Sequence, residues 1–129
     1  MKKTSASAVA KYPFDIYVFK SDGTYKYLPN ENQLEVINNR DFRGMTGTQD
    51  FVASASVNVV LVADLEREDD TPDIEVRKKR VELDSGHVVQ NMMMWASGND
   101  KKCVPRGMFV EEGLLEILAL DPNRYYIPI

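Results

Sequence analysis

Cysteine and histidine each occur only once in the 129 residues, as Cys103 and His87. A single cysteine excludes an internal disulfide and any cysteine-based metal cluster, and a single histidine leaves no His–His pair for zinc or iron. Positive charge is also in short supply: 16 Lys and Arg against 20 Asp and Glu leave a net charge of −4 at pH 7. A nucleic-acid-binding domain is not expected from that balance, since such a domain needs a basic face to release counterions from phosphates. Glycine (7) and proline (6) are scattered without period, which excludes a collagen-like chain. The longest apolar run, Val57 to Ala63, is far too short to cross a bilayer. Neither a GxGxxG loop nor a Walker motif is present. The start, Met1-Lys2-Lys3, has the charge of a signal peptide, but Thr4 to Ser7 stand where its apolar middle belongs. The reading is a soluble, cytoplasmic protein.

The composition that remains, 43% apolar and 28% charged, is that of a folded domain, and the length predicts one domain over residues 1–129. Phe14 to Phe19 alternates and is rich in β-branched and aromatic residues, which predicts a strand. Ser21-Asp22-Gly23-Thr24 predicts a turn into a second strand, Tyr25 to Leu28. Pro29 to Asn32 predicts another turn, into a third strand from Gln33 to Ile37. Thr48 reads as the N-cap of a short helix from Gln49 to about Ala55. The almost wholly apolar Val57 to Ala63 predicts a strand buried on both faces, at the centre of the sheet. Thr71-Pro72-Asp73 opens a long helix running to Ser97, whose stripe of Ile74, Val81, Val88 and Trp95 is expected to face the sheet. A short strand near Lys102 to Pro105, a turn at Arg106-Gly107, a helix carrying Val110, Leu114, Ile117 and Leu118, and a last strand at Tyr125 to Ile127 complete the chain. The expected fold class is α+β: a mostly antiparallel sheet packed on a long helix.

Few side chains propose chemistry on their own. His87 beside Val88 and Val89 reads as a hydrogen-bonded structural residue, with no nucleophile and orienting group to complete a triad. Cys103, between Lys102 and Val104, reads as a small strand residue, although nearby ammonium groups favour a thiolate. Arg77 to Arg80 offer a phosphate grip but, flanked by Glu75 and Glu82, read as a solvated helix face. Met92-Met93-Met94-Trp95 point to several sides of one helix; a border for a flat aromatic ligand competes there with core or subunit packing.

Three stretches, taken together, resemble the flavin-dependent nitroreductase family, and more closely its branch of SagB-type dehydrogenases. They are Thr4 to Val18, which contains Thr4-Ser5-Ala6-Ser7-Ala8 and Tyr12-Pro13; Gly47 to Val52 with the strand that follows; and Gly86-His87-Val88-Val89-Gln90-Asn91-Met92 with Val104-Pro105-Arg106-Gly107-Met108-Phe109. The resemblance implies an FMN-binding α+β fold and an intertwined homodimer with its sites between the subunits. It also implies NAD(P)H as electron donor and a nitro, quinone or enone-type acceptor. The cofactor-binding residues it implies are Ser5, Ala6 and Ser7 as a covering loop, Gln90 and Asn91 on the long helix, and Pro105, Arg106 and Gly107 at the flavin edge. No catalytic side chain is implied, because the flavin carries the chemistry. The family's Arg-Arg-Ser-like phosphate segment lies upstream of the Thr4 motif, and its members continue beyond the point where this chain stops. The expectation is therefore a form shortened at both ends, with weak phosphate binding. The alternative is a shortened nitroreductase-like protein that keeps the dimer scaffold without binding or turning over flavin.

Overall fold

The structure is a computed structural model, and it describes residues 14–69 and 71–129. Three strands form the predicted meander: β1 (Phe14–Lys20), β2 (Gly23–Leu28) and β3 (Gln33–Asn38). The turn between β2 and β3 places Asn32 at φ 50°, a left-handed conformation that asparagine tolerates better than most residues. The chain then passes through two short 3₁₀ turns, Arg43–Met45 and Asp50–Ala53, and enters β4 (Asn58–Asp64). Two helices follow, α1 (Ile74–Gly98) and α2 (Glu111–Ile117), and a two-residue strand β5 (Tyr125–Tyr126) completes the order β3-β2-β1-β4-β5. Every pairing is antiparallel.

The strand predicted at the sheet centre is instead next to last. β1 occupies the middle, with β2 on one side and β4 on the other. β4 is nonetheless buried on both faces, as its apolar run requires: Val60 and Val62 point to one side, Leu61 and Ala63 to the other.

The main core lies on the first of those faces. Tyr17 and Phe19 of β1 and Val60 and Val62 of β4 meet Leu114, Leu115 and Leu118, with Ile127 closing the end. The short helix α2 thus covers the centre of the sheet. The long helix covers a smaller cluster in which Val81 packs on Ala63 and Leu65. Burial also pushes the Tyr17 hydroxyl up to about 12, aided by the neighbouring Asp15 carboxylate.

Several local expectations are corrected. α1 is one continuous helix, but its cap is Asp73, whose carboxylate accepts from the Glu75 N–H, and Thr71 Oγ1 accepts instead from Asp73 N. Of the predicted stripe, Val81 is fully buried and Val88 half-buried, while Ile74 and Trp95 are 41% and 63% exposed. The buried positions of α1 are Val81, Asp84, Ser85 and Ala96, because the sheet meets this helix over a short stretch only. Thr48 does not cap a helix: its N–H donates to the Met108 carbonyl, and the turn that follows begins at Asp50. Lys102 to Pro105 form no strand; no partner edge lies beside them among the described residues.

β5 is too short to be held by ladder hydrogen bonds alone. Its anchor is a two-pronged ion pair in which Arg124 Nε and Nη2 donate to Asp64 Oδ1 and Oδ2 at 2.9 and 2.8 Å. Those hydrogen bonds hold the Asp64 carboxyl below the usual carboxylate range against the opposing cost of burial.

Candidate functional site

A cleft of about 1130 Å³ opens between the start of β4, the C-terminal half of α1 and the irregular segment that joins α1 to α2. Its walls are largely apolar: Val88, Met92 and Trp95 from α1, Phe51 from the 3₁₀ turn, and Phe109 and Leu114 from the far side. Met92 and Trp95 lie three residues apart and share one helix face, which the Met-Trp cluster allowed as one of its two readings. Met93 and Met94 point elsewhere, and Met94 is 63% exposed.

The polar floor of the cleft is built around Arg106. Its Nη2 donates to Asn58 Oδ1 at 2.8 Å, and its Nη1 lies 3.5 Å from the Thr46 carbonyl and 3.4 Å from Thr46 Oγ1. Asn58, almost fully buried, is satisfied at its other end by donating from Nδ2 to the Val52 carbonyl at 2.7 Å. The Phe51 ring lies 5.8 Å from the guanidinium carbon, a cation–π distance. Gly47 makes this approach possible. A Cβ there would stand 2.7 Å from Arg106 Nη1 and 3.0 Å from Val52 Cγ1. The Met108 carbonyl accepts from the Thr48 N–H at 3.0 Å, so residues 106–108 are fastened to residues 46–58 from both sides. Burial lowers the Arg106 guanidinium from its usual value, although arginine stays charged in any protein setting.

The predicted cofactor residues separate into three groups. Asn91, Pro105 and Arg106 all line the cleft, brought together from a helix and a loop. Gln90 and Gly107 are exposed and do not line it, and a Cβ on Gly107 would meet no protein atom within 4 Å. Ser5, Ala6 and Ser7 lie outside the described residues. Cys103 is half-buried and lines the cleft. His87 is exposed on α1. None of Arg77 to Arg80 lines the cleft. Arg77 is occupied by the Thr71 and Leu65 carbonyls, Lys78 sits 5.2 Å over the Tyr126 ring, and Arg80 approaches the buried Glu68 at 4.0 Å. Sequence reasoning missed Thr46, Phe51 and Asn58. Asn58 carried the one available signal, a lone amide within an apolar strand, where a buried polar group needs a partner.

The result is an α+β domain with a five-stranded antiparallel sheet, a long helix beside it and an apolar cleft floored by a few convergent polar groups, the kind of place in which small molecules bind proteins. The chain matches the profile of the Nitroreductase family over residues 3–127, and it belongs to that family. A Methanocaldococcus jannaschii protein classed as a nitroreductase is 29% identical over 130 residues, covering 92% of this chain and 64% of its own length. A crystal structure of a protein from Ralstonia eutropha, also classed as a nitroreductase, superposes with a TM-score of 0.85 at 29% identity. That match covers 97% of this chain and 59% of the other. An Anabaena variabilis structure shares the fold at a TM-score of 0.83 and 21% identity, over 95% of this chain and 27% of its own. The chain thus spans less than two thirds of the length of these relatives.

Proposed function

We propose that this chain is an FMN-dependent oxidoreductase that takes electrons from NAD(P)H and reduces a nitro, quinone or enone-type acceptor. Family membership across residues 3–127 supports the oxidoreductase class. The observation that carries the flavin reading is the cleft itself, where Asn91, Pro105 and Arg106 converge beside apolar walls. At about 1130 Å³ it lies above the usual range for one small-molecule site, roughly 300–1,000 Å³, which suits a cofactor as bulky as a flavin. Open space beside Gly107 fits a backbone that must approach a planar ring closely.

When bound, FMN supplies the redox chemistry, accepting electrons from the nicotinamide and passing them to the acceptor. The chain's own part is binding and orientation. Backbone N–H groups of residues 106 and 107 would donate to the flavin edge on which negative charge develops. The fastening of residues 106–108 to residues 46–58 holds those donors still, which is what electrostatic preorganisation requires. Ser5, Ala6 and Ser7 would cover the ring.

A comparison of FMN with riboflavin tests this reading. Flavin fluorescence is expected to be quenched on binding to the purified chain, with riboflavin bound about as tightly as FMN, because the Arg77 to Arg80 run lies off the cleft and, among the described residues, the one arginine lining it is Arg106, whose backbone is assigned here to the flavin edge. Gly107→Val is expected to weaken flavin binding at least about tenfold without lowering the melting temperature, since its side chain enters open space. Absence of binding by both flavins would favour the alternative, a scaffold that does not use flavin.

The same reading includes a homodimer. Leu83, Met94 and Trp95 on α1 are each 63% exposed, and large apolar side chains left exposed along one helix suit a subunit contact. Light scattering at micromolar concentration is expected to give twice the 14.7 kDa chain mass; a monomer mass would rule it out.

A further inference from the structure

The charges around the cleft are unbalanced in a way the whole chain is not. Acidic residues outnumber basic ones in the sequence, yet among the described residues the charged side chains lining the cleft are Lys101, Lys102 and Arg106, with no Asp or Glu. Arg106 is the innermost of the three by its contacts. Its acceptors are an amide oxygen, a hydroxyl and a backbone carbonyl, all neutral, and among the described residues no carboxylate lies within 4.0 Å of it. Elsewhere in the molecule arginines meet acids: Arg43 forks onto Asp41, Arg67 reaches Asp15, and Arg124 grips Asp64. A partly desolvated guanidinium whose charge is not neutralised is costly unless something anionic completes it. Three neutral acceptors use only part of its five N–H donors, and its planar fork suits an oxyanion. A cleft with low-dielectric walls and charges of one sign also concentrates the opposite ion.

We propose that Arg106 anchors the carboxylate of a small, flat, apolar acid in this cleft, so that the protein prefers aromatic carboxylates over their neutral analogues. The apolar body lies against Met92, Trp95 and Phe109 while the carboxylate faces the guanidinium, with Lys101 and Lys102 at the rim adding attraction. The inference rests on the cleft and its charges and holds whether or not the flavin reading does.

Trp95 is the single tryptophan of the chain and lines the same cleft, so its fluorescence reports occupancy. The purified chain, without added flavin, is titrated with benzoate, benzamide and phenyl phosphate. Benzoate is expected to bind about tenfold more tightly than benzamide, the gain typical of a hydrogen bond to a charged group. Arg106→Met should reduce that ratio to about twofold or less, and Arg106→Lys, which keeps the charge but loses the fork, should leave it intermediate. Equal affinity for benzoate and benzamide in the parent protein overturns the proposal, and that comparison depends on no variant folding. Phenyl phosphate binding well ahead of benzoate overturns it in favour of a phosphate site. If Arg106→Met folds and leaves the benzoate preference intact, the carboxylate is held elsewhere and the proposal fails.

Discussion

Phe19→Ala is expected to lower the unfolding free energy by about 3–5 kcal/mol, the range for truncating a buried aromatic side chain. Phe19 is completely buried, pairs with Thr24 on one side and Asn58 on the other, and packs in the cluster that joins β1 and β4 to α2. Removing the ring takes away its transfer free energy and leaves a void that two paired strands cannot close by shifting, since their register is held on both edges. Domains of this size are stable by about 5–15 kcal/mol, so the variant stands close to the limit of folding. Urea unfolding followed by far-ultraviolet circular dichroism measures the loss. Val36→Ala is the matched comparison: Val36 is 55% exposed on the edge strand β3, and its replacement should cost less than about 0.5 kcal/mol. A loss below about 1 kcal/mol at Phe19 would show that α2 does not cover the sheet as described.

The second large effect lies on α1. Val81→Asp should cost several kcal/mol, whereas Ile74→Asp on the same helix should be nearly neutral. Both positions belong to the sevenfold stripe and look equivalent in the sequence. In the structure Val81 is fully buried against Ala63 and Leu65, so an aspartate there carries an unpaired charge into an apolar contact. Ile74 is 41% exposed in the first turn, just after the Asp73 cap, where negative charge faces the positive end of the helix dipole. The contrast between the two melting temperatures tests the packing of α1 more sharply than either value alone. Equal losses would mean that the whole stripe is buried, and equal tolerance would mean that α1 does not pack on β4 at Val81.

Elements with a strong local signal were legible from the chain alone. The alternation of Phe14 to Phe19, the turn residues before Tyr25 and Gln33, and the apolar run at β4 each mark a strand through contacts within a few residues. The continuity of α1 was legible for the same reason, although its cap moved by two residues. Part of the candidate cleft was legible as well. Asn91, Pro105 and Arg106 were marked by resemblance to a family, and Met92 and Trp95 by the lesser reading of the Met-Trp cluster as a ligand border, whereas helical spacing had placed Trp95 against the sheet.

Which side of each element is covered was decided only by the tertiary structure. Periodicity states that a helix has an apolar stripe and is silent about how far the partner surface extends. The sheet meets α1 near Val81 and leaves Ile74 and Trp95 exposed, while a helix of seven residues, α2, buries the centre of the sheet. The polar floor of the cleft was hidden for a related reason. Arg106 finds its acceptors 48 and 60 residues away, at Asn58 and Thr46, and no local pattern links positions that far apart. Local sequence determines backbone preference because the interactions involved span one turn or one pleat. The choice of partners across the fold depends on the shape of the whole buried surface, and that shape exists only once the chain has folded.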